Sequence, residues 1–453
     1  MCGIIGIFGN ENAAELATLG LFAEQHRGQE SCGMAVHDGH KFVLRKKMGL
    51  VKEVFRPQKI KLLQGKIAIG HVRYPTCGSS SEYNSQPHIV ETLSGPSYAL
   101  ASNGDIINYT EMRQKLENKG IYFASYNDGE LLLKYIVYQV EKNGKSIVDA
   151  IKLAMQNIKG AFSTVLGTRD GLYVFRDPYG IRPLSLGKLK DGSIAVASES
   201  CALDILHPDS IREVAPAEIV EITKQKLQSH QLQASHYRTS KHNKHCIFEH
   251  VYFARPDSFE FNENVYQVRM NIGSILAKND EADYDIVVPV PDSANFIALG
   301  FARQKNIPYE MGLIRNHYVG RTFIKPEQTI RDESVNQKFN PLPNIFKGKN
   351  IALVDDSIVR GTTLRQIVKM VRKAGANQIH LRIGSPMVKF SCFYGIDTPS
   401  QDELIANNKS LEAIRDYLGA DSVKYLQIEQ LQQAVKKPQD YCYACFNGKY
   451  PVK

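Results

Sequence analysis

The chain contains no apolar run approaching the roughly 20 residues that a membrane-spanning helix needs. Its first residues lack the basic start and longer apolar stretch of a secretory signal. It has no internal repeat. Its eight cysteines show no closely spaced set of the kind that staples small secreted folds. Lys and Arg number 56 against 47 Asp and Glu, a net charge of +9, too slight to argue for DNA and compatible with an anionic phosphate substrate. No helix-turn-helix or basic stripe is apparent, so a ligand-sensing DNA-binding regulator is disfavoured. These absences lead us to expect a cytoplasmic protein with reduced thiols and no membrane or nucleic-acid partner.

What is present is an ordinary globular composition, 43% hydrophobic and 23% charged. With 453 residues the chain can bury a large core and divide into two or three domains. The most informative residues are the first six, Met1-Cys2-Gly3-Ile4-Ile5-Gly6. Removal of one methionine would make Cys2 the amino-terminal residue. A terminal cysteine carries a nucleophile and a base together, because its α-amine has a reference pKa of about 7.7–8.0. That amine can take the thiol proton and return it to a leaving group.

Residues 1–220 show short apolar strands at 4–8, 42–44, 67–71, 98–102, 162–166, 172–176 and 194–198. Helical patterns interrupt them near 14–24, 109–118, 130–141 and 146–156. This is an α+β pattern with antiparallel sheets. Residues 224–246 are polar and read as a linker, in or beside which His230, His236, His242, His245 and His250 match no common metal-ligand spacing and are expected to be exposed. Beyond residue 280, apolar runs at 285–290, 350–354 and 378–384 mark parallel βα units, in which ligands sit beyond the carboxyl ends of the strands.

Five segments of the first half fit one chemistry: MCGIIGIFG, QHRGQESCG, HVRYPTCGSS, NGDIINYTEMR and NDGE. Together they resemble the glutamine amidotransferases of the N-terminal-nucleophile class, with stacked antiparallel sheets between helices. Arg73 offers a planar fork for the α-carboxylate of glutamine, and Asp128 a charge for its α-ammonium group. The tetrahedral intermediate on Cys2 needs oxyanion donors. The resemblance implies the Asn103 side chain and the backbone N–H of Gly104 or Gly28. Thr76 is a further candidate for contacting the substrate.

VDDSIVRGTT at 354–363 follows a strand and opens a helix, and it resembles the signature of type I phosphoribosyltransferases. Asp355 and Asp356 can bond two ribose hydroxyls, and either can help hold Mg²⁺. The loop from Ser357 through Arg360, Gly361, Thr362 and Thr363 can wrap a 5′-phosphate with backbone N–H groups, hydroxyls and the helix amino terminus. In VVPVPDSAN the resemblance turns Ser293 toward the metal, and Asp292 or Ser293 is expected to cap the following helix. The stretch 315–331 carries Arg315, Arg321, Lys325 and Arg331, and is either a solvated loop or a lid over pyrophosphate.

CIFEHVYFARPDS at 246–258 joins the halves and resembles the glutamine-dependent amidophosphoribosyltransferases along nearly the whole chain. That resemblance implies a glutaminase domain at 2–235 and a phosphoribosyltransferase domain at 246–453. It implies release of ammonia from glutamine at Cys2 and its capture by phosphoribosyl pyrophosphate, giving 5-phosphoribosylamine, glutamate and pyrophosphate, the committed step of purine synthesis. Purine nucleotides are implied as inhibitors, and a homodimer or homotetramer as the assembly. The pattern departs at His250, where the family carries tyrosine. Cys246, Cys392, Cys442 and Cys445 can supply four thiolates if the chain ends meet. Spacing alone does not choose between zinc and an iron–sulfur cluster; the resembled subfamily implies a 4Fe-4S cluster that clamps the tail. Cys32, Cys77 and Cys201 are expected to be packing residues.

Overall fold

Ile5 and Ile7 of the strand Gly3–Phe8 pack beneath the helix Ala13–Ala23, while Ile4 and Phe8 face the opposite way. This period-two split puts the strand between two cores. In the computed structural model, which describes residues 1–74, 80–92, 97–232, 242–318 and 337–452, it is the middle strand of a seven-stranded antiparallel sheet, paired with Ile67–Arg73 and Ile194–Ala197. A six-stranded antiparallel sheet, including Ser97–Ile106, Gly160–Gly167 and Gly171–Arg176, stacks on its inner face through Ile4, Ile69, Ala101, Val165 and Val174. The helices Tyr109–Glu117, Asp128–Glu141 and Ile147–Asn157 cover the far side. The layers run helix, sheet, sheet, helix, as expected.

The proposed linker is only partly one. Leu227–Gln231 is an edge strand paired with Glu218–Thr223. It is almost wholly exposed, so its polar composition carried no strand pattern. The expectation of exposed histidines also fails at two positions. His245 and His250 are buried. His245 stacks on Phe261 with ring centroids 4.4 Å apart, and the His250 ring nitrogen lies 3.0 Å from the Tyr441 hydroxyl. An imidazole offers apolar faces as well as nitrogens, and aromatic partners supplied by distant segments decided its placement. His236, Thr76, Cys77, Arg321, Lys325 and Arg331 lie outside the described residues.

The second half is built on a parallel sheet in the order Ile286–Pro289, Asn350–Asp355, Gln378–Ile383, Ser422–Tyr425. Val287, Ala352 and Val354 face the helices Val265–Lys278 and Asn295–Lys305, and Ile286, Val288, Ile351 and Leu353 face Thr362–Lys373 and Leu411–Leu418. Both faces are covered, as a doubly wound sheet requires. The helix after Ile286–Pro289 starts at Asn295 and has no side-chain cap. The expected capping role of Asp292 or Ser293 is therefore wrong: Asp292 pairs with Arg315, and the Ser293 hydroxyl donates to Asp356. A carboxylate in the neighbouring loop took the hydroxyl that the helix would have used.

The helices Val265–Lys278 and Asn295–Lys305 meet backbone to backbone. A methyl on Gly273 would run into the Ile297 carbonyl and lie 2.7 Å from the Phe301 nitrogen. Gly273→Ala is expected to cost about 1–3 kcal/mol through forced separation of the helices, read as a lower urea midpoint with an unchanged slope.

Candidate active sites

Cys2 lies at the entry of the central strand of one sheet, and Asn103 lies inside Ser97–Ile106 of the other. The Cys2 N–H donates to Asn103 Oδ1 at 3.1 Å, so the pair bridges the two sheets. The Asn103 amide nitrogen is buried without a partner, which leaves an unused donor beside Cys2. Asn103 and Gly104 pair with Ser163 and Phe162 in the ladder, so they form no turn. A Cβ on Gly104 would strike the Ala161 carbonyl. Gly28 ends the short turn Gln25–Arg27, and a Cβ there would lie 2.6 Å from the backbone of Val72 and Arg73. Glycine is needed at both positions for close approach.

Burial pushes the Cys2 thiol above its ordinary pKa, so it calls for a proton acceptor rather than ionising unaided. Met1 is present and buried. Burial, helped by Arg182 and Arg27, pushes its amine down to about 5.

Arg73 is buried and pairs with Glu30 at 2.6 Å. Asp128 opens its helix, buried, with Asn127 as the cap. Burial and the nearby Asp105 push the Asp128 carboxyl up to about 7. Cys2, Arg73, Asp128, Asn103, Gly104 and Gly28 are thus brought into one neighbourhood.

In the second half, Asp355 ends its strand and Asp356 begins the loop. Burial and mutual repulsion raise the Asp355 carboxyl, and burial raises that of Asp356. Ser293 and Ser357 both donate to Asp356, Ser357 at 2.5 Å. Gly361, at φ +76°, turns the loop into the helix Thr362–Lys373, so Thr362 and Thr363 stand at its amino terminus, where unpaired N–H groups favour an anion. Arg360 is paired with Glu403 at 2.9 Å on the surface. Among the described residues, no three His, Cys, Asp or Glu side chains converge closely enough to hold a metal ion.

The chain ends do meet. His245–Cys246 and Tyr441–Cys442 form a parallel bridge with Cys246 opposite Cys442, and Cys246, Cys392, Cys442 and Cys445 line one cavity with Arg182, Phe248 and Tyr394. No cysteine among the described residues is in a disulfide. Cys32 and Cys201 are buried packing residues; burial pushes the Cys32 thiol up to about 12.

Sequence reasoning missed a buried ionic cluster beside Cys2. The Arg27 Nε donates to the Cys2 carbonyl at 2.9 Å. Its other nitrogens reach Glu249 at 2.8 and 3.1 Å and also Glu199. Glu249 takes a third donor from Arg182 at 3.3 Å. The available signal was a charge with no assigned partner inside each of two motifs, Arg27 in QHRGQESCG and Glu249 in CIFEHVYFARPDS.

A thiol at the start of two stacked sheets, joined to a doubly wound sheet with an acid pair and an anion-ready helix, defines a glutamine amidotransferase coupled to a phosphoribosyltransferase fold. Residues 71–204 match the glutamine amidotransferase domain family. The amidophosphoribosyltransferases of Synechococcus elongatus and Methanocaldococcus jannaschii are 45% and 44% identical over all of this chain and 91% and 98% of theirs. The structure of the Bacillus subtilis glutamine phosphoribosylpyrophosphate amidotransferase, described as complexed with ADP and GMP, superposes with a TM-score of 0.91 at 40% identity, covering 100% of this chain and 98% of that one. The chain belongs to the amidophosphoribosyltransferase family, glutamine-dependent pentosyltransferases of the first step of purine biosynthesis. No helix among the described residues is long and apolar enough to cross a membrane.

Proposed function

We propose that the mature chain begins at Cys2, hydrolyses glutamine there, and passes ammonia internally to phosphoribosyl pyrophosphate, with the glutaminase at 2–235 and the phosphoribosyltransferase at 246–453. One observation carries the channelling part. A Cβ on Gly395, from the second half, would lie 2.9 Å from the Gly104 carbonyl, so the second half packs directly against the glutaminase site, and this supports a transfer kept from bulk water.

In this reading the Cys2 amine takes the thiol proton, and the thiolate attacks the carboxamide. The Asn103 amide and the Gly104 or Gly28 N–H hold the oxyanion. Arg73 and Asp128 grip the amino-acid end of glutamine, with Thr76 as an added contact. Ammonia then attacks the ribosyl carbon from the face opposite pyrophosphate. Ser357, Arg360, Gly361, Thr362 and Thr363 hold the 5′-phosphate, and Arg321 and Lys325 close on pyrophosphate. The transition state is cation-like, so positioning and charge stabilisation dominate.

Asp355, Asp356 and Ser293 suit Mg²⁺, since they are oxygen donors and the two acids crowd negative charge that a cation relieves. When bound, the ion would neutralise the pyrophosphate. The four-thiol cavity suits a 4Fe-4S cluster. Its lining includes the Arg182 guanidinium, whose Nη2 is buried without a partner and would face an anionic group. A 4Fe-4S cluster spreads its four thiolates around a core, whereas zinc draws them to one atom with bonds of about 2.3 Å; the enclosed cavity that the four thiols line supports the cluster. A cytoplasmic homodimer or homotetramer regulated by purine nucleotides completes the proposal.

Three outcomes test it. Cys2→Ala should lose glutamine-dependent synthesis by about a thousandfold or more, while high ammonia still supports it; retained glutamine-dependent turnover overturns the assignment. Asp128 is neutral below about pH 7 and a carboxylate above it. The KM for glutamine should therefore rise as pH falls through that value, and Asp128→Asn should raise it about 10–100-fold and flatten the profile. Anaerobically purified protein should be brown, with about four irons and four sulfides per chain; a colourless, active, zinc-loaded protein refutes the cluster.

A further inference from the structure

Glu249 stands at a junction that the proposed chemistry does not use. Its side chain is fully buried and lies within CIFEHVYFARPDS, in the turn Glu249–Phe253. Its two oxygens take the terminal nitrogens of Arg27, at 2.8 and 3.1 Å, and Nη1 of Arg182 at 3.3 Å. Arg27 also stacks on Phe253, 4.9 Å from the ring centroid. Held on both sides, its Nε reaches back to the Cys2 carbonyl. Arg182 in turn donates to the Tyr394 carbonyl at 2.7 Å and to the Met1 sulfur. The turn itself is fixed from the second half: Arg269 donates to the carbonyls of His250 and Ala254, each at 2.8 Å, and Asp356 is the foremost favourable charge acting on that guanidinium.

We propose that Glu249 is a positioning residue for the glutaminase half-reaction. A chain terminus frays unless it is tied down. Once Met1 is removed, the Cys2 residue is held by its own amine on Asn103 and by its carbonyl on Arg27. Arg27 is a flexible side chain whose direction is set by the bidentate pair with Glu249, with Glu199 sharing one of the same nitrogens. The thiol of one half is therefore aligned by a carboxylate whose backbone is anchored beside the acid pair of the other. This inference rests on Cys2 being the nucleophile.

The test uses the full-length protein, with Glu249→Gln and, separately, Glu249→Asp. The second keeps the buried negative charge and shortens only its reach, so it reports even if the first variant is insoluble. Three quantities are measured: glutamine-dependent kcat and KM, ammonia-dependent synthesis, and the rate at which a glutamine-mimicking diazoketone alkylates Cys2 relative to iodoacetamide. Both variants should lose glutamine-dependent kcat by at least about tenfold with KM changed less than threefold. Alkylation by the glutamine mimic should slow in parallel, with the iodoacetamide rate and ammonia-dependent synthesis within twofold of the parent. Glutamine-dependent kcat within twofold of the parent overturns the proposal. So does an equal fall in both synthetic activities, which would mark Glu249 as merely structural. Cys2→Ala that still hydrolyses glutamine removes the underlying assignment instead, and is read separately.

Discussion

The hydrogen bond from the Cys2 N–H to Asn103 crosses from one sheet to the other, and the site exists because the two sheets are stacked at the distance that permits it. That distance is set by the residues between them. Ile4 and Ile69 press from one sheet, and Ala101, Val165 and Val174 from the other. Small residues sit where the sheets come closest: Gly6 leaves its Cβ position 3.0 Å from Val165. An added methylene in this layer would separate nucleophile and oxyanion donor before it disturbed either sheet. The chemistry is thus tied to packing volume as well as to polar residues.

The charged cluster around Arg27 imposes a second constraint. Burying guanidinium and carboxylate groups costs several kcal/mol each, and an apolar replacement of similar volume often matches or exceeds such a pair in stability. The cluster of Arg27, Arg182, Glu199 and Glu249 is therefore better understood through direction than through stability. Apolar side chains would hold the halves together but would not specify where the Cys2 carbonyl points. The neighbouring apolar core, in which Ile181 and Tyr179 of the first half meet Cys246, Ile247 and Tyr394 of the second, supplies the cohesion.

Much of this was legible in the sequence because the informative residues are short motifs with local geometry. The strand preceding Asp355, the glycine at 361 and the helix after it are all local features, and the structure has them at 350–355, 361 and 362–373. The antiparallel strands of the first half were visible wherever apolar alternation was clean, as at Gly3–Phe8. The exposed strand Leu227–Gln231 was not, because an edge with no buried face has no alternation to display. The fourth parallel strand, Ser422–Tyr425, is only four residues long and offers too little pattern. The ionic cluster was invisible for a different reason: Arg27 and Glu249 are 222 residues apart, and no local rule pairs them.

His250 shows how such long-range context rewrites a residue. In sequence it is one of several histidines near a polar stretch. In the fold it is buried against Phe261 and Tyr441, its Nε2 near the Tyr441 hydroxyl and its Nδ1 without a partner. Burial and the adjacent Arg269 push its pKa down to about 3. It is therefore a neutral ring at physiological pH: flat, largely apolar, with a polar edge. A charged imidazolium here would add a cation next to Arg269, and the neutral ring does not.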